Sequence, residues 1–169
     1  MSAFAIREEG LDDLESIREV NRLAFGQDAE SRLVDRLRAD GLVVASFVAV
    51  EGHRVIGHVM FSELAIQTDS GIIPGAALAP MAVIPSRQRR GIGSSLVREG
   101  LEECRRLGVA VVVVLGHLDY YPRFGFSAEK ARCLRTRYRG HLMALELVPS
   151  ILDGVLGALS YPPAFAEVG

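Results

Sequence analysis

Apolar positions along the chain change period several times, and each change predicts an element. Phe4 to Arg7 predicts a short first strand. Leu14, Ile17, Val20 and Ala24 then recur at helical spacing, with Asp12 at the N-cap position and Glu15 three residues on as a capping-box pair. Gly26 breaks this helix. A second one from about Asp28 carries Leu33, Val34 and Leu37 before Gly41 stops it. Leu42 to Val50 and Arg54 to Ile66 predict a hairpin turning at Glu51-Gly52, and Gln67 to Gly71 a loop. Ala76 to Ile84 is short and bulky enough for a buried strand. Downstream, Leu96, Val97, Gly100, Leu101, Cys104 and Leu107 share one helical face, and Gly108 stands where a C-cap glycine belongs. Val109 to Leu115 is almost purely β-branched, which predicts a strand buried on both faces and a parallel crossover through the preceding helix. Gly116 to Asp119 leaves the sheet, Tyr120 to Arg123 makes at most a short helix, Phe126 opens irregular chain, and His141 to Val148 is a last strand.

The turn from strand to helix is Gln88-Arg89-Arg90-Gly91-Ile92-Gly93-Ser94. The first turns of a helix leave N–H groups without intrahelical partners, and with the helix dipole they favour an anion. Gly91 and Gly93 remove side chains that would keep a phosphate from the backbone, and Arg87, Arg89 and Arg90 add positive charge. No Lys follows Gly93, which rejects a P-loop, and Leu96 stands where a dinucleotide fingerprint needs a third small residue.

Pro80 interrupts the strand ahead of this loop. Proline gives no N–H to a ladder, so the strand should bulge or splay from a neighbour there. The N–H groups of Met81 and Val83, which point the same way, are then free for an extended ligand. A ligand that pairs like a strand at one end and carries phosphates at the other fits coenzyme A.

Three blocks, Ala79-Pro80-Met81-Ala82-Val83, the Gln88 to Gly93 loop and Tyr120-Tyr121-Pro122-Arg123-Phe124-Gly125-Phe126, together resemble the GNAT family of N-acetyltransferases, and more narrowly its YhbS-like bacterial branch. The resemblance spans roughly Phe4 to Leu147. It implies an α/β (α+β) domain of GNAT fold: a mixed, mostly antiparallel central sheet splayed in a V between the fourth and fifth strands, with helices on both faces. It implies acetyl-CoA as cosubstrate, held by Met81, Ala82, Val83, Gln88, Arg89, Arg90, Gly91, Ile92, Gly93, Ser94 and Tyr121, and no metal. The family domain would cover residues 1–148, and 149–169 would be a C-terminal extension packed on it. The first two helices would form one wall of the acceptor site.

Expulsion of a thiolate, whose conjugate acid has a pKa of about 8.5, is helped by a phenol at the sulfur. The resemblance gives that role to Tyr121 and leaves Tyr120 as a packing aromatic. An alkyl amine must also lose a proton before it attacks. Relatives often use a carboxylate near the splayed strand, but Gly75 to Ala79 contains none, and Glu63 is the nearest substitute, or else an exposed strand-end charge. Strand alternation sets Glu63 with Phe61 and Val59, opposite His58, Met60 and Ser62. His58 and His117 fit core or loop positions better than a base, and no spacing among the four histidines suggests a metal. Arg132, Arg135, Arg137 and Arg139 suit either a solvated face or attraction of an acidic acceptor.

Composition narrows the rest. With 169 residues, 49% apolar and 24% charged, the chain is a single globular domain's worth. A net charge of −2 gives no reason to expect nucleic acid. No signal peptide or membrane-length run is present, and two cysteines make no disulfide framework, so a cytoplasmic protein is expected. The expected activity is direct acetyl transfer to a primary amine, on a small molecule or a protein, and a homodimer is compatible with it. A non-catalytic acyl-CoA-binding regulatory module, or transfer of another acyl group or to a hydroxyl, are the alternatives.

Overall fold

The computed structural model describes residues 3–138 and 140–168. Its strands are β1 (Phe4–Glu8), β2 (Val43–Glu51), β3 (Arg54–Thr68), β4 (Gly71–Val83), β5 (Val111–Leu115), β6 (Leu134–Arg135), β7 (Leu142–Glu146) and β8 (Gly157–Ser160). They form one sheet in the order β1-β2-β3-β4-β5-β7. Neighbours along that order are antiparallel except the β4–β5 pair, which the connection through a helix makes parallel. The long β3 outruns β2, and its far half, Ala65 to Gln67, takes β8 as its partner instead.

Helices α1 (Leu14–Phe25), α2 (Ala29–Ala39) and α3 (Ile92–Arg106) cover the sheet. Alternation along β3 divides them between its faces. Gly57 and Phe61 meet Leu96 and Gly100 of α3, whereas His58 meets Asn21 of α1. The expected apolar faces are observed: Leu33, Val34 and Leu37 of α2, and Leu96, Val97, Leu101 and Cys104 of α3, are buried. Leu107 is not; it lies past the end of α3 and is 49% exposed, while Gly108 takes the left-handed C′ conformation with φ +84°.

Two local expectations are corrected. The Asp12–Glu15 capping box does not form. A single helical turn, Leu11–Asp13, precedes α1, and Asp13 stands at its N-cap position. The Asp13 carboxylate accepts the Gly10 N–H at 2.6 Å and a two-pronged pair from Arg7 at 2.6 and 3.0 Å, so it is better satisfied than Asp12 would be. Arg7, then the Gly10 N–H, hold its pKa below the usual carboxylate range against the opposing effect of burial. β4 starts at Gly71 rather than Ala76, because Ile72 to Gly75 pair with Leu64 to Gln67 and shrink the expected loop to Asp69-Ser70. In the final segment β8 joins the sheet, and Leu152, Ala164 and Phe165 are buried.

Beneath α1 lies a polar group that the apolar stripe did not foreshadow. Asn21, fully buried, approaches His58 Nδ1 at 3.2 Å, and the Ser46 hydroxyl approaches His58 Nε2 at 3.0 Å. Burial, with Arg38 adding to it, lowers the His58 pKa to about 3, so the ring is neutral at physiological pH. His58 is the core histidine that its position implied.

Gly100 of α3 packs directly on Phe61 of β3. A Cβ there would lie 2.0 Å from Phe61 Cε2, far inside contact distance. Alanine gains up to about 1 kcal/mol of helix propensity over glycine, but overpacking a core costs about 1–3 kcal/mol. Gly100→Ala is therefore expected to lower the urea midpoint. An unchanged midpoint would mean that Phe61 can step aside.

Candidate active site

β4 pairs with β5 only from Gly75 to Ala77, against Val111 to Val113. Beyond those residues the two strands part. On the other side β4 stays with β3 as far as Val83, but through a bulge: Val59 faces Met81 and Phe61 faces Leu78, so Ala79 and Pro80 together stand opposite Met60. The splay expected from Pro80 is thus present between the fourth and fifth strands. Ile84 donates its N–H to Ile56 at 3.0 Å, and alternation turns the N–H groups of Met81 and Val83 away from β3 into the open side. Ala82 turns its own backbone toward β3.

The gap holds two adjoining clefts. One, of about 550 Å³, lies at the start of α3 and is lined by Met81, Ala82, Val83, Gln88, Arg89, Gly91, Ile92, Gly93 and Ser94. Those are the expected cofactor residues except Arg90, which is exposed and stands off the cleft, and Tyr121, which lines the neighbouring one. Ser95 N–H bonds to the Gly91 carbonyl at 3.1 Å, leaving the N–H groups of Ile92, Gly93 and Ser94 as the free first turn. The N-cap, Gly91 at φ +82°, provides no capping side chain, and the first turn holds no acidic residue. Arg89 is itself left-handed at φ +63°, a costly conformation for a residue with a Cβ. A Cβ on Gly93 would lie 3.0 Å from Met81 Sδ and 3.4 Å from the Tyr120 hydroxyl, so a side chain there would press on both and narrow the floor.

Neighbouring bonds hold the loop. The Gln88 amide donates to the Val83 carbonyl at 2.9 Å, folding the loop back on β4. Arg87 pairs with Glu51 at 2.8 Å, which ties it to the end of β2 and lowers the Glu51 pKa. Sequence reasoning missed Phe25 and Arg123, which also line this cleft, and it misread Tyr120. The Tyr120 hydroxyl lies 3.1 Å from Ser94 Oγ, and Arg123 covers the ring at 4.2 Å, so this tyrosine faces the cleft at the start of α3 as well as packing on its neighbours. The signal was its place in the same motif as Tyr121.

The second cleft, of about 400 Å³, runs between the parted strands, from Ala77–Met81 to Val113–His117. Tyr121 lines it. A turn in which Tyr120 and Tyr121 both donate to the His117 carbonyl brings it there. Its ring packs so closely on Gly116 that no Cβ would fit, and it meets Tyr120 and Phe126 edge-on at 5.0 and 5.8 Å. Burial, with Tyr120 contributing, pushes its pKa up to about 12, so it remains a proton donor. Phe25 and Met81 border both clefts.

Glu63 is not brought to this place. It is exposed and lines a separate groove with Val43, Leu107, Gly108 and Val109, at the opposite end of β5. The carboxylate that does line the Tyr121 cleft is Glu30 of α2, and His117 lines it from the loop after β5. Arg132, Arg135 and Arg137 are exposed; Arg139 lies outside the described residues. Among the described residues no group of His, Cys, Asp and Glu could hold a metal, and no helix is long and apolar enough to cross a membrane.

Residues 5–128 match the family model described as an acetyltransferase (GNAT) domain. The chain belongs to the GNAT family. GNAT relatives extend the match over its whole length. It is 35% identical to the uncharacterized N-acetyltransferase YhbS of Escherichia coli (strain K12) over 164 residues, 95% of this chain and 97% of that protein. The crystal structure of Escherichia coli YhbS in complex with CoA superposes with a TM-score of 0.92 at 33% identity, covering 100% of this chain and 95% of the other. A GNAT acetyltransferase from Brucella melitensis, solved with acetyl-CoA, gives a TM-score of 0.80 at 35% identity, covering 96% and 97%.

The Tyr121 environment has a direct optical test. The ultraviolet phenolate difference between the folded protein and Tyr121→Phe is expected to titrate near pH 12. A midpoint at about 10, the ordinary value for tyrosine, would mean that the ring is solvated.

Proposed function

We propose that the protein is an acetyl-CoA-dependent N-acetyltransferase that transfers acetyl to a primary amine by direct attack. One observation carries this: a single gap between β4 and β5 joins the open N-terminus of α3 to the hydroxyl-bearing Tyr121 cleft. The pyrophosphate of the donor sits on the N–H groups of Ile92, Gly93 and Ser94, with Arg89 and Arg123 beside it. Its pantetheine amides pair with Met81 and Val83 as a strand would. That run sets the thioester against Tyr121.

The amine enters from the side of α1 and α2 and attacks the thioester carbon. A C–N bond forms, the C–S bond breaks, and the electron pair leaves on sulfur. Tyr121 donates a hydrogen bond to that sulfur. Because its pKa of about 12 lies above the ~8.5 of a thiol, the phenol stabilises the departing thiolate without surrendering its proton first. The proton that finally rests on sulfur is the one the amine nitrogen loses. Cys104 is buried in the core and plays no part as an acyl carrier.

Two measurements test this reading. Tyr121→Phe is expected to lower kcat by about 10²- to 10⁴-fold while leaving the Kd for acetyl-CoA nearly unchanged; full kcat with chemistry rate-limiting would remove Tyr121 from the mechanism. Glu63→Gln, remote from the cleft, serves as the control and should keep the wild-type pH profile. In calorimetry below its own melting temperature, Gly93→Val is expected to lose most of its affinity for coenzyme A; the added side chain crowds Met81, so some loss of stability accompanies this. Undiminished affinity in that folded variant would put the phosphates elsewhere.

A further inference from the structure

We propose that the acceptor is a primary amine carried on an aromatic or bulky apolar body, its ammonium read by Glu30 and its body seated against Tyr138, Tyr161 and Phe165. This rests on the acetyltransferase reading above. The Tyr121 cleft continues past the parted strands between α2 and the last residues of the chain, and these side chains line it there. Tyr138 and Tyr161 pack edge-on at 4.8 Å, and Tyr161 and Phe165 at 5.2 Å, so the wall is a braced aromatic cluster rather than loose side chains. Phe25, 41% exposed, faces the same space from the end of α1.

Charge narrows the class further. Glu30 is the one carboxylate lining the cleft among the described residues. Both its oxygens accept from the Gln27 amide, at 3.1 and 3.2 Å, which orients the group and leaves its charge uncompensated by that neighbour. A single carboxylate among apolar walls matches a monocation. A polyamine would carry its further ammonium groups against Leu33, Phe165 and Val168, where desolvation is uncompensated. Of the lining residues only His117 has a cationic form, so a free amino acid's carboxylate finds little to pair with. A cleft of about 400 Å³ is also within the range of small-molecule sites.

The test uses the full chain with acetyl-CoA and three amines: 2-phenylethylamine, ethanolamine and spermidine, following release of the coenzyme A thiol. Burial of an aromatic body predicts a kcat/KM for 2-phenylethylamine about tenfold or more above that for ethanolamine. Loss of a charged hydrogen bond predicts that Glu30→Gln raises KM for 2-phenylethylamine by about tenfold, with kcat and the Kd for acetyl-CoA within a few-fold of wild type. Tyr138→Ala, at a half-buried position, should shrink the preference for 2-phenylethylamine over ethanolamine, with the variant's fold checked by its melting curve. Equal or better turnover of ethanolamine or spermidine, or an unchanged KM in Glu30→Gln, overturns the assignment. If acetyl-CoA binds but no amine of the three is acetylated, the acceptor class is wrong and the donor site stands. If acetyl-CoA does not bind at all, the acetyltransferase reading falls with it.

Discussion

The early parting of β4 from β5 is the constraint on which the rest of the molecule depends. A strand in mid-sheet normally spends its N–H groups on both neighbours. Here the bulge at Ala79 and Pro80 keeps β4 on β3 while the other side opens. Each buried N–H left unpaired costs about 1–3 kcal/mol, so the open edge of Met81 and Val83 is a strong acceptor-seeking surface. The fold tolerates it because β3 holds β4 along nearly its full length and β7 takes up β5 from Val111 to Leu115. The gap is thus framed by paired strands, and the loops that complete both clefts hang from that frame.

The α3 N-terminus and the Tyr121 turn are fixed to this frame from opposite sides. Gly100 against Phe61 sets how closely α3 lies on the sheet, and Gly93 over Met81 sets how far its first turn stands from the gap. Gly116 does the equivalent for Tyr121, since the ring occupies the volume a Cβ would claim. Tyr120 then joins the two through its contact with Ser94. Glycine is used here less for unusual dihedrals than for missing volume, and only Gly91 in this group requires a left-handed φ.

The parts legible in the sequence were those whose physics is local. Pro80 announces a ladder defect by lacking a donor, Gly91 and Gly93 announce a close approach, and the spacing in α3 announces its buried face. What escaped was set by distant chain. Nothing near Asn21 reveals that His58 and Ser46 will meet it under α1. Of the two readings open for Glu63, substitute base or exposed strand-end charge, the second fits, because Glu63 sits opposite Ala76, before the strands part, and so faces the wrong end of the gap. Glu30 could not be singled out from the exposed acids of two helices until α2 was seen beside the cleft. Tyr120 and Tyr121 were both visible, but their division of labour depends on which side of the turn each ring emerges.

The tail that pairs with β3 carries a further consequence. Residues matching the family model end at 128, yet Tyr138, Tyr161 and Phe165 wall the Tyr121 cleft from beyond that point. Lys130 holds Glu146, whose carboxylate also accepts the Leu152 N–H at 2.9 Å, and this clamp and β8 anchor the tail to the frame. The Tyr121 cleft is therefore assembled from both ends of the chain, with Phe25 and Glu30 ahead of the α3 loop and the aromatic wall after it. Substitutions in the tail can reshape that wall while the Gln88 to Ser94 loop stays as it is.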